Sequence, residues 1–150
     1  MIKRFTKEDF KTKTDMELYA SQYPGCKFVG FWRKCKNFNN YVHSVDPFWR
    51  SKQIEEQNNA IKDNLLWPED LIDEKQSPEI LNQVAEYLDN CKFGEHYMGH
   101  SFCRICHKDL GCSDRTDGEW VWPDELSHYL LEHKVRLPDE FIKYVLKKSS

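Results

Sequence analysis

Residues Ser101–His133 read SFCRICHKDLGCSDRTDGEWVWPDELSHYLLEH and contain the strongest structural signal of the chain. Two residues separate Cys103 from Cys106, and four separate His128 from His133. A Cys-x-x-Cys turn lets both sulfur atoms face one ion, and His-x4-His lies within the usual ligand window for zinc. Two thiolates and two imidazoles favour tetrahedral Zn²⁺ over Ca²⁺ or Mg²⁺, which prefer oxygen ligands. The sequence therefore predicts one Zn²⁺ held by Cys103, Cys106, His128 and His133.

The residues between the two ligand pairs predict a hairpin followed by a helix. Asp117-Gly118 is a hairpin turn signal, and residues 119–122 are typical of the returning strand. Pro123 is expected to begin the helix that carries both histidines. The predicted class is α+β, with a small zinc-stabilised β-hairpin plus helix in the order of a C2H2 zinc finger. The 21 residues between Cys106 and His128 exceed the roughly 12 of a DNA-reading finger.

The composition of this helix argues against DNA reading and against catalysis. Asp124, Glu125 and Glu132 would meet phosphates with like charge. Four protein ligands close the coordination shell of zinc, whereas a catalytic site keeps one position open. We therefore expect a structural metal and no enzymatic activity, with a zinc hydrolase as the least favoured alternative. Other ligands that the sequence leaves open are His96, His100, His107 and Cys112.

Outside this stretch, the sequence predicts one domain over residues 1–150. Residues 1–95 are expected to be mainly helical, aromatic and loop-rich, and residues 96–150 to form the zinc module. A further helix is expected over residues 6–22. Proline followed by acidic residues suits the first turn of a helix. This pattern predicts four helix starts, at Pro68, Pro78, Pro123 and Pro138.

Aromatic and basic residues alternate between positions 27 and 50. Such interleaving is used by surfaces that bind single-stranded nucleic acid, through base stacking and phosphate contact. The alternative, which we favour, is that the aromatic side chains are core and the basic ones surround them. Cys26, Cys35 and His43 have no knuckle spacing, so the cysteines are expected to be buried thiols rather than a second metal site.

Charge and hydropathy limit the kinds of partner and the cellular compartment that the sequence predicts. The net charge is −3, and residues 1–60 carry eleven Lys and Arg against seven Asp and Glu. Residues 61–95 carry three against nine, so a surface that attracts anions is expected only in the N-terminal part. No apolar window is long enough for a membrane span, and the first residues lack the pattern of a signal peptide. Reduced cysteines then predict the cytoplasm or the nucleus.

Residues from about 84 to 145 resemble a family of small, mostly uncharacterised zinc-bearing proteins found in bacteria and large DNA viruses. What the resemblance implies is a zinc-bearing domain, with no activity attached. The leading prediction is a non-enzymatic, protein-interaction domain, and the alternative is RNA or single-stranded DNA binding through residues 27–50. The resemblance rests on Tyr97-x-Gly99-x-Ser101-x-Cys103-Arg104-x-Cys106, Leu110-Gly111, Thr116-Asp117-Gly118-x-Trp120-Val121-Trp122-Pro123, Leu126-x-His128-Tyr129 and His133-x-Val135-Arg136-Leu137-Pro138.

Overall fold

The computed structural model describes residues 21–32, 47–62, 67–97 and 100–149. The α+β class predicted from the sequence is confirmed. All but the last two residues of the helix expected over 6–22 lie outside the described residues, as do Cys35 and His43. In chain order the elements are β1 (Lys27–Phe28), α1 (Pro47–Lys62), a 3-10 helix (Pro68–Leu71), α2 (Pro78–Asn90), β2 (Lys92–His96), β3 (Ser113–Thr116), β4 (Trp120–Pro123), α3 (Leu126–His133) and α4 (Asp139–Lys148).

The hairpin expected at Asp117-Gly118 is present as β3 and β4 and lies at the centre of a four-stranded sheet. The strand order is β1-β4-β3-β2, with β1 parallel to β4 and the other pairs antiparallel. The Asp117 carboxylate closes the turn by accepting the backbone N–H groups of Glu119 and Trp120, both at 2.9 Å. The sequence predicted neither β1 nor β2. These two strands flank the hairpin, which is therefore part of a larger sheet than the two-stranded hairpin of a C2H2 finger.

The two faces of this sheet bury different clusters because side chains alternate along a strand. Trp120 and Trp122 lie on one face, and both rings contact Phe141 of α4 edge-on. Val121 lies on the opposite face. There it packs against residues from the start of the described chain, namely Tyr23, Cys26, Phe28 and Phe31.

The aromatic residues at the start of the stretch 27–50 belong to the core. Phe28, Phe31 and Trp32 are 2%, 6% and 3% exposed. Their rings are therefore inaccessible to a stacking base. Phe48, on α1, is 60% exposed and does not share this burial.

The four predicted helix starts have different outcomes. Ser77 caps α2, accepting the N–H of Ile80, and Pro138 immediately precedes α4. Pro68 begins only one 3-10 turn. The prediction for Pro123 is wrong: this residue ends β4, opposite Asp114, and α3 begins at Leu126. Strand pairing continues past Pro123 because the N–H of the next residue, Asp124, bonds to the carbonyl of Ser113.

Helices α2, α3 and α4 pack on the sheet face that holds the two tryptophans. α2 contacts both α3 and α4, and Trp122 donates its indole N–H to the carbonyl of Leu88 in α2. Within the described part of the chain, no helix is both long and apolar enough to cross a membrane. The sheet draws strands from either side of residue 96, so the predicted zinc module shares its core with the earlier part of the chain.

Candidate metal centre

Cys103 and Cys106 lie on a tight turn that is closed by a β-bridge between Phe102 and Asp109. The N–H of Cys103 bonds to the carbonyl of Lys108 at 2.8 Å, and the N–H of His107 bonds to the carbonyl of Cys103 at 2.9 Å. Backbone N–H of Ile105 points at the Cys103 sulfur, 3.4 Å away. His107 has a φ of 67°, a left-handed conformation that is uncommon outside glycine. This turn forms a knuckle that turns both sulfur atoms to one side.

The two histidines come from opposite ends of α3. Five residues correspond to about 140° around a helix axis, yet the short helix lets both imidazoles converge. Their ring centroids are 5.0 Å apart with an interplanar angle of 78°. His133 is the last residue of α3, and Lys134 then reverses the chain with a φ of 55°.

One ligand atom from each of Cys103, Cys106, His128 and His133 lies within 4.8 Å of all the others. The Cys106 sulfur is 3.2 Å from Nε2 of His128. A zinc tetrahedron with Zn–S bonds of about 2.3 Å and Zn–N bonds of about 2.0 Å has edges of roughly 3.3–3.8 Å. The cluster therefore needs little movement to enclose an ion.

An orphaned polar atom supports the fit of this donor set to a metal. Nε2 of His133 is buried and has no hydrogen-bond partner among the described residues. A buried polar atom without a partner costs free energy, so native proteins rarely leave one unless a ligand, ion or water satisfies it. With two thiols and two imidazoles close together, these residues fit a soft or borderline divalent cation.

The electrostatics of the imidazoles favour their ligand form. Burial lowers the pKa of His128, as do the charges of His133 and Lys108, while Glu132 opposes the shift. Burial also lowers the pKa of His133, against the opposing charges of Glu132 and Glu69. Both rings are therefore held toward the neutral state in which a nitrogen lone pair is available to a metal.

The buried thiol behaves differently. Burial raises the pKa of Cys103, an effect that backbone N–H groups of Cys106 and Ile105 reduce and the neighbouring Cys106 thiol reinforces. The thiol of Cys103 is therefore protonated near neutral pH, and a metal must displace that proton to bind the sulfur.

Arg104 fastens the knuckle to the rest of the molecule. This arginine lies between the two cysteines and is only 4% exposed. Its backbone N–H donates to the Tyr129 hydroxyl at 2.8 Å, and its Nε donates to the Trp32 carbonyl at 3.1 Å. A second guanidinium nitrogen bonds to the Phe102 carbonyl. The ring of Tyr129 in turn packs edge-on against Trp32, with centroids 4.8 Å apart.

Sequence reasoning missed the role of Arg104, Tyr129 and Trp32. From the sequence, an arginine in a Cys-x-x-Cys loop is expected to be exposed. Its partners in the structure are backbone carbonyl groups, and since every residue has one, no residue type in the sequence marks them. The Trp32 carbonyl is 72 positions away in the chain. No local pattern identifies such a partner.

The cluster does not include the alternative ligands. His100 pairs with Asp109 at 2.8 Å, and His96 contacts the Ser113 hydroxyl. Among the described residues, the four-residue cluster is the single group of three or more metal-ligating side chains, and it includes neither His107 nor Cys112. The buried Cys26 bonds instead to the Gly118 carbonyl.

Comparisons with protein-family models, with curated proteins and with solved structures find no match for this chain. The features that bear on function are therefore the converging donor atoms, the buried imidazole nitrogen of His133 and the attachment of the knuckle to the core through Arg104.

Proposed function

We propose that this chain is a zinc-binding domain in which Cys103, Cys106, His128 and His133 hold one structural Zn²⁺. The observation that carries the proposal is the convergence of four donor atoms within 4.8 Å. The thiolate-imidazole donor set selects zinc among the abundant divalent cations. The resemblance to a family of zinc-bearing proteins of bacteria and large DNA viruses agrees with this proposal.

The environment of the donors supports a structural role. Cys103 is fully buried, and the four side chains supply as many ligands as a closed zinc shell contains. Bound zinc would add a link between the knuckle and α3, which are already joined by the hydrogen bond from the Arg104 backbone N–H to the Tyr129 hydroxyl. Structural zinc supplies on the order of 10 kcal/mol of folding free energy near neutral pH.

Metal analysis of the purified protein tests this proposal. We expect one zinc per chain in the wild type and loss of that zinc in Cys103→Ser/Cys106→Ser. The matched control is Cys91→Ser/Cys112→Ser, which removes two thiols outside the cluster and keeps the zinc. A wild type without zinc, or a Cys103/Cys106 variant that retains all of it, would contradict the proposal.

We propose further that the domain acts non-enzymatically by binding a protein, in the reducing environment of the cytoplasm or nucleus. Burial of Phe28, Phe31 and Trp32 removes three of the stacking residues on which the nucleic-acid alternative depended. The exposed Glu132 on α3 and the net charge of −3 add no attraction for phosphate.

Two measurements separate the protein-binding proposal from its alternative. On a column of immobilised RNA or single-stranded DNA, we expect no specific retention. Retention that falls steeply with salt would instead favour nucleic-acid binding, since phosphate contacts release counterions. Affinity purification from the native host should recover a partner that binds the purified domain directly. This binding should be lost in Cys103→Ser/Cys106→Ser.

A further inference from the structure

The two ligand pairs lie on separate elements, and one buried hydrogen bond joins these elements directly beside the ligands. The backbone N–H of Arg104, the residue after Cys103, donates to the hydroxyl of Tyr129, the residue after His128, at 2.8 Å. Arg104 and Tyr129 are both 4% exposed. A hydrogen bond in a buried environment of low dielectric constant is stronger than the same bond in water. This bond therefore ties the knuckle to α3 at the level of the ligands.

The ring of Tyr129 also borders both imidazoles. His133 follows Tyr129 by four positions, and residues four apart lie on the same face of a helix. The ring centroid of Tyr129 is 6.5 Å from that of His133 and 6.1 Å from that of His128. One side chain is therefore a neighbour of both histidines, and its hydroxyl reaches the loop between the two cysteines.

Tyr129 is itself held in place by a closed set of contacts with Trp32 and Arg104. Its ring packs edge-on against the ring of Trp32, with the centroids 4.8 Å apart. Its hydroxyl accepts the N–H of Arg104, whose Nε in turn donates to the carbonyl of Trp32 at 3.1 Å. A tyrosine side chain has only two χ angles and a rigid ring. It therefore acts as a spacer of fixed length between the helix and the knuckle.

We propose that Tyr129 is the positioning residue of the metal centre. Its hydroxyl holds the knuckle at a fixed distance from α3, so that the cysteine pair and the histidine pair face one ion. Residues that orient the ligands in this way raise the affinity for the metal, because less freedom is lost when the ion binds. This inference rests on the proposed zinc site and assigns part of its affinity to a residue that is not a ligand.

Tyr23 provides a matched control for the hydroxyl of Tyr129. Its hydroxyl also accepts a backbone N–H, that of Glu95 at 2.7 Å, and donates to Asp114 at 3.1 Å. Tyr23 is 9% exposed and belongs to the cluster around Val121, on the opposite face of the sheet from the two tryptophans. A general loss of stability would affect Tyr23→Phe at least as much as Tyr129→Phe, whereas a loss of positioning affects Tyr129→Phe alone.

Zinc affinity, measured by competition with a chromophoric chelator, tests this difference. Tyr129→Phe keeps the ring and removes only the oxygen that accepts the Arg104 N–H. We expect it to weaken zinc binding by about 10-fold, the lower end of the usual effect when a residue that orients metal ligands is lost. Tyr23→Phe should remain near the wild type. Equal affinities in Tyr129→Phe and the wild type, or equal losses in the two variants, would overturn the inference. A wild type that binds no zinc would refute the proposed function and the inference with it.

Co²⁺ gives a second readout that a merely structural role would not change. Its visible absorption is intense in tetrahedral coordination and weak in octahedral coordination, so the spectrum reports the arrangement of the ligands. Tyr129→Phe loaded with Co²⁺ should absorb more weakly than the loaded wild type, because water replaces a displaced ligand. Tyr23→Phe should match the wild type. Equal spectra in Tyr129→Phe and the wild type would count against positioning.

A measurement on the wild type alone keeps the inference testable if Tyr129→Phe does not fold. In the zinc-loaded protein, the amide proton of Arg104 should exchange slowly with solvent, because its N–H is buried and bonded to the Tyr129 hydroxyl. The exposed Lys108, on the same knuckle, offers a side-chain control: Lys108→Ala should leave the zinc affinity unchanged. Rapid exchange at Arg104 would overturn the inference, as would an equal loss of affinity in Lys108→Ala.

Discussion

Two residues beside the metal ligands have backbone conformations that their side chains disfavour. His107 follows the second cysteine with a φ of 67°, and Lys134 follows the last histidine with a φ of 55°. Both positions reverse the chain directly after a ligand. The left-handed conformation costs a residue with a side chain roughly 1–2 kcal/mol relative to the right-handed one. The geometry around the ligands is therefore maintained against a local conformational preference.

The strain at Lys134 gives a prediction for stability. Lys134 occupies the position after the helix where glycine is most common, and its N–H caps α3 through the Leu130 carbonyl. Lys134→Gly should raise the free energy of unfolding by about 0.5–1 kcal/mol, because glycine adopts this conformation without steric cost. Urea unfolding measures the change. Lys134→Ala keeps Cβ, and an equal gain in that variant would disprove the conformational explanation.

The buried guanidinium of Arg104 gives a second prediction at this scale. Removing it in Arg104→Ala leaves the carbonyl groups of Trp32 and Phe102 without this donor. At roughly 1–3 kcal/mol for each buried polar group that loses its partner, we expect a loss of about 2–4 kcal/mol. Chemical denaturation of the zinc-loaded protein checks this value. Exposed Lys108, on the same knuckle, is the control: Lys108→Ala should change stability by less than about 0.5 kcal/mol.

At the scale of elements, the segment after β1 approaches the first residue of α3 closely. A Cβ atom on Gly30 would lie 2.5 Å from Cδ1 of Leu126, and the φ of Gly30 is +82°. Only glycine therefore allows the N-terminal segment to approach the helix that carries both histidines. This contact joins the start of α3 to the segment that follows β1.

Two glycines allow the steric and the conformational parts of this requirement to be separated. Gly25 has a similar φ of +77°, with nothing within 4 Å of an added Cβ. Gly25→Ala should cost only the conformational term of roughly 1–2 kcal/mol. Gly30→Ala should cost about 1–3 kcal/mol more, because it also overpacks the core. Thermal unfolding of the two variants tests the ranking, and equal losses would show that Leu126 yields freely.

An element could be predicted from the sequence where the interactions that form it lie between residues close together in the chain. The spacing of Cys103, Cys106, His128 and His133 is a local signal, and the structure brings these four residues together. Asp117-Gly118 predicted its hairpin because the turn chemistry is contained in a few residues. β1 has two residues and pairs with β4 across 93 positions, from Lys27 to Trp120. No periodicity can be read in two residues, so that strand could not be predicted.

At the scale of the whole molecule, the metal centre and the core are continuous. Cys103, Leu126, Tyr129 and Leu130 belong to the same buried cluster as Leu81, Val84 and Leu88 of α2. Loss of the metal should therefore be felt beyond the ligand-bearing segments. The division into an N-terminal part and a zinc module describes the sequence, while the buried contacts run across that boundary.

Metal removal tests this continuity. Chelation should lower the thermal midpoint and reduce hydrogen-exchange protection in α3, and the loss should extend to α2, which packs against α3. Removing roughly 10 kcal/mol of zinc-linked folding free energy is comparable to the total stability of a small domain. Re-addition of zinc should restore protection. Unchanged protection in α2 after complete chelation would show that the helix is stable independently of the centre.

The pH dependence of the zinc-free protein follows from its histidines. Burial lowers the pKa of both His128 and His133 below the ordinary value of 6.5. As the pH falls below about 6.5, the unfolded chain takes up protons that the folded chain does not. Stability present above that pH is therefore lost as the solution becomes more acidic. Urea unfolding near pH 7.5 and near pH 5.5 should show the loss, and His128→Asn/His133→Asn should reduce it.

The parallel pairing of β1 with β4 also sets the order in which the molecule can be built. During synthesis at about 5–20 residues per second, roughly 5–20 s separate the appearance of Lys27 from that of its partner Trp120. Throughout that interval Phe28, Phe31 and Trp32 have no sheet to cover them. The pairing of β1 with β4 forms late because its partners are so far apart in the chain. Until then, these apolar side chains are a point of contact for chaperones on the nascent chain.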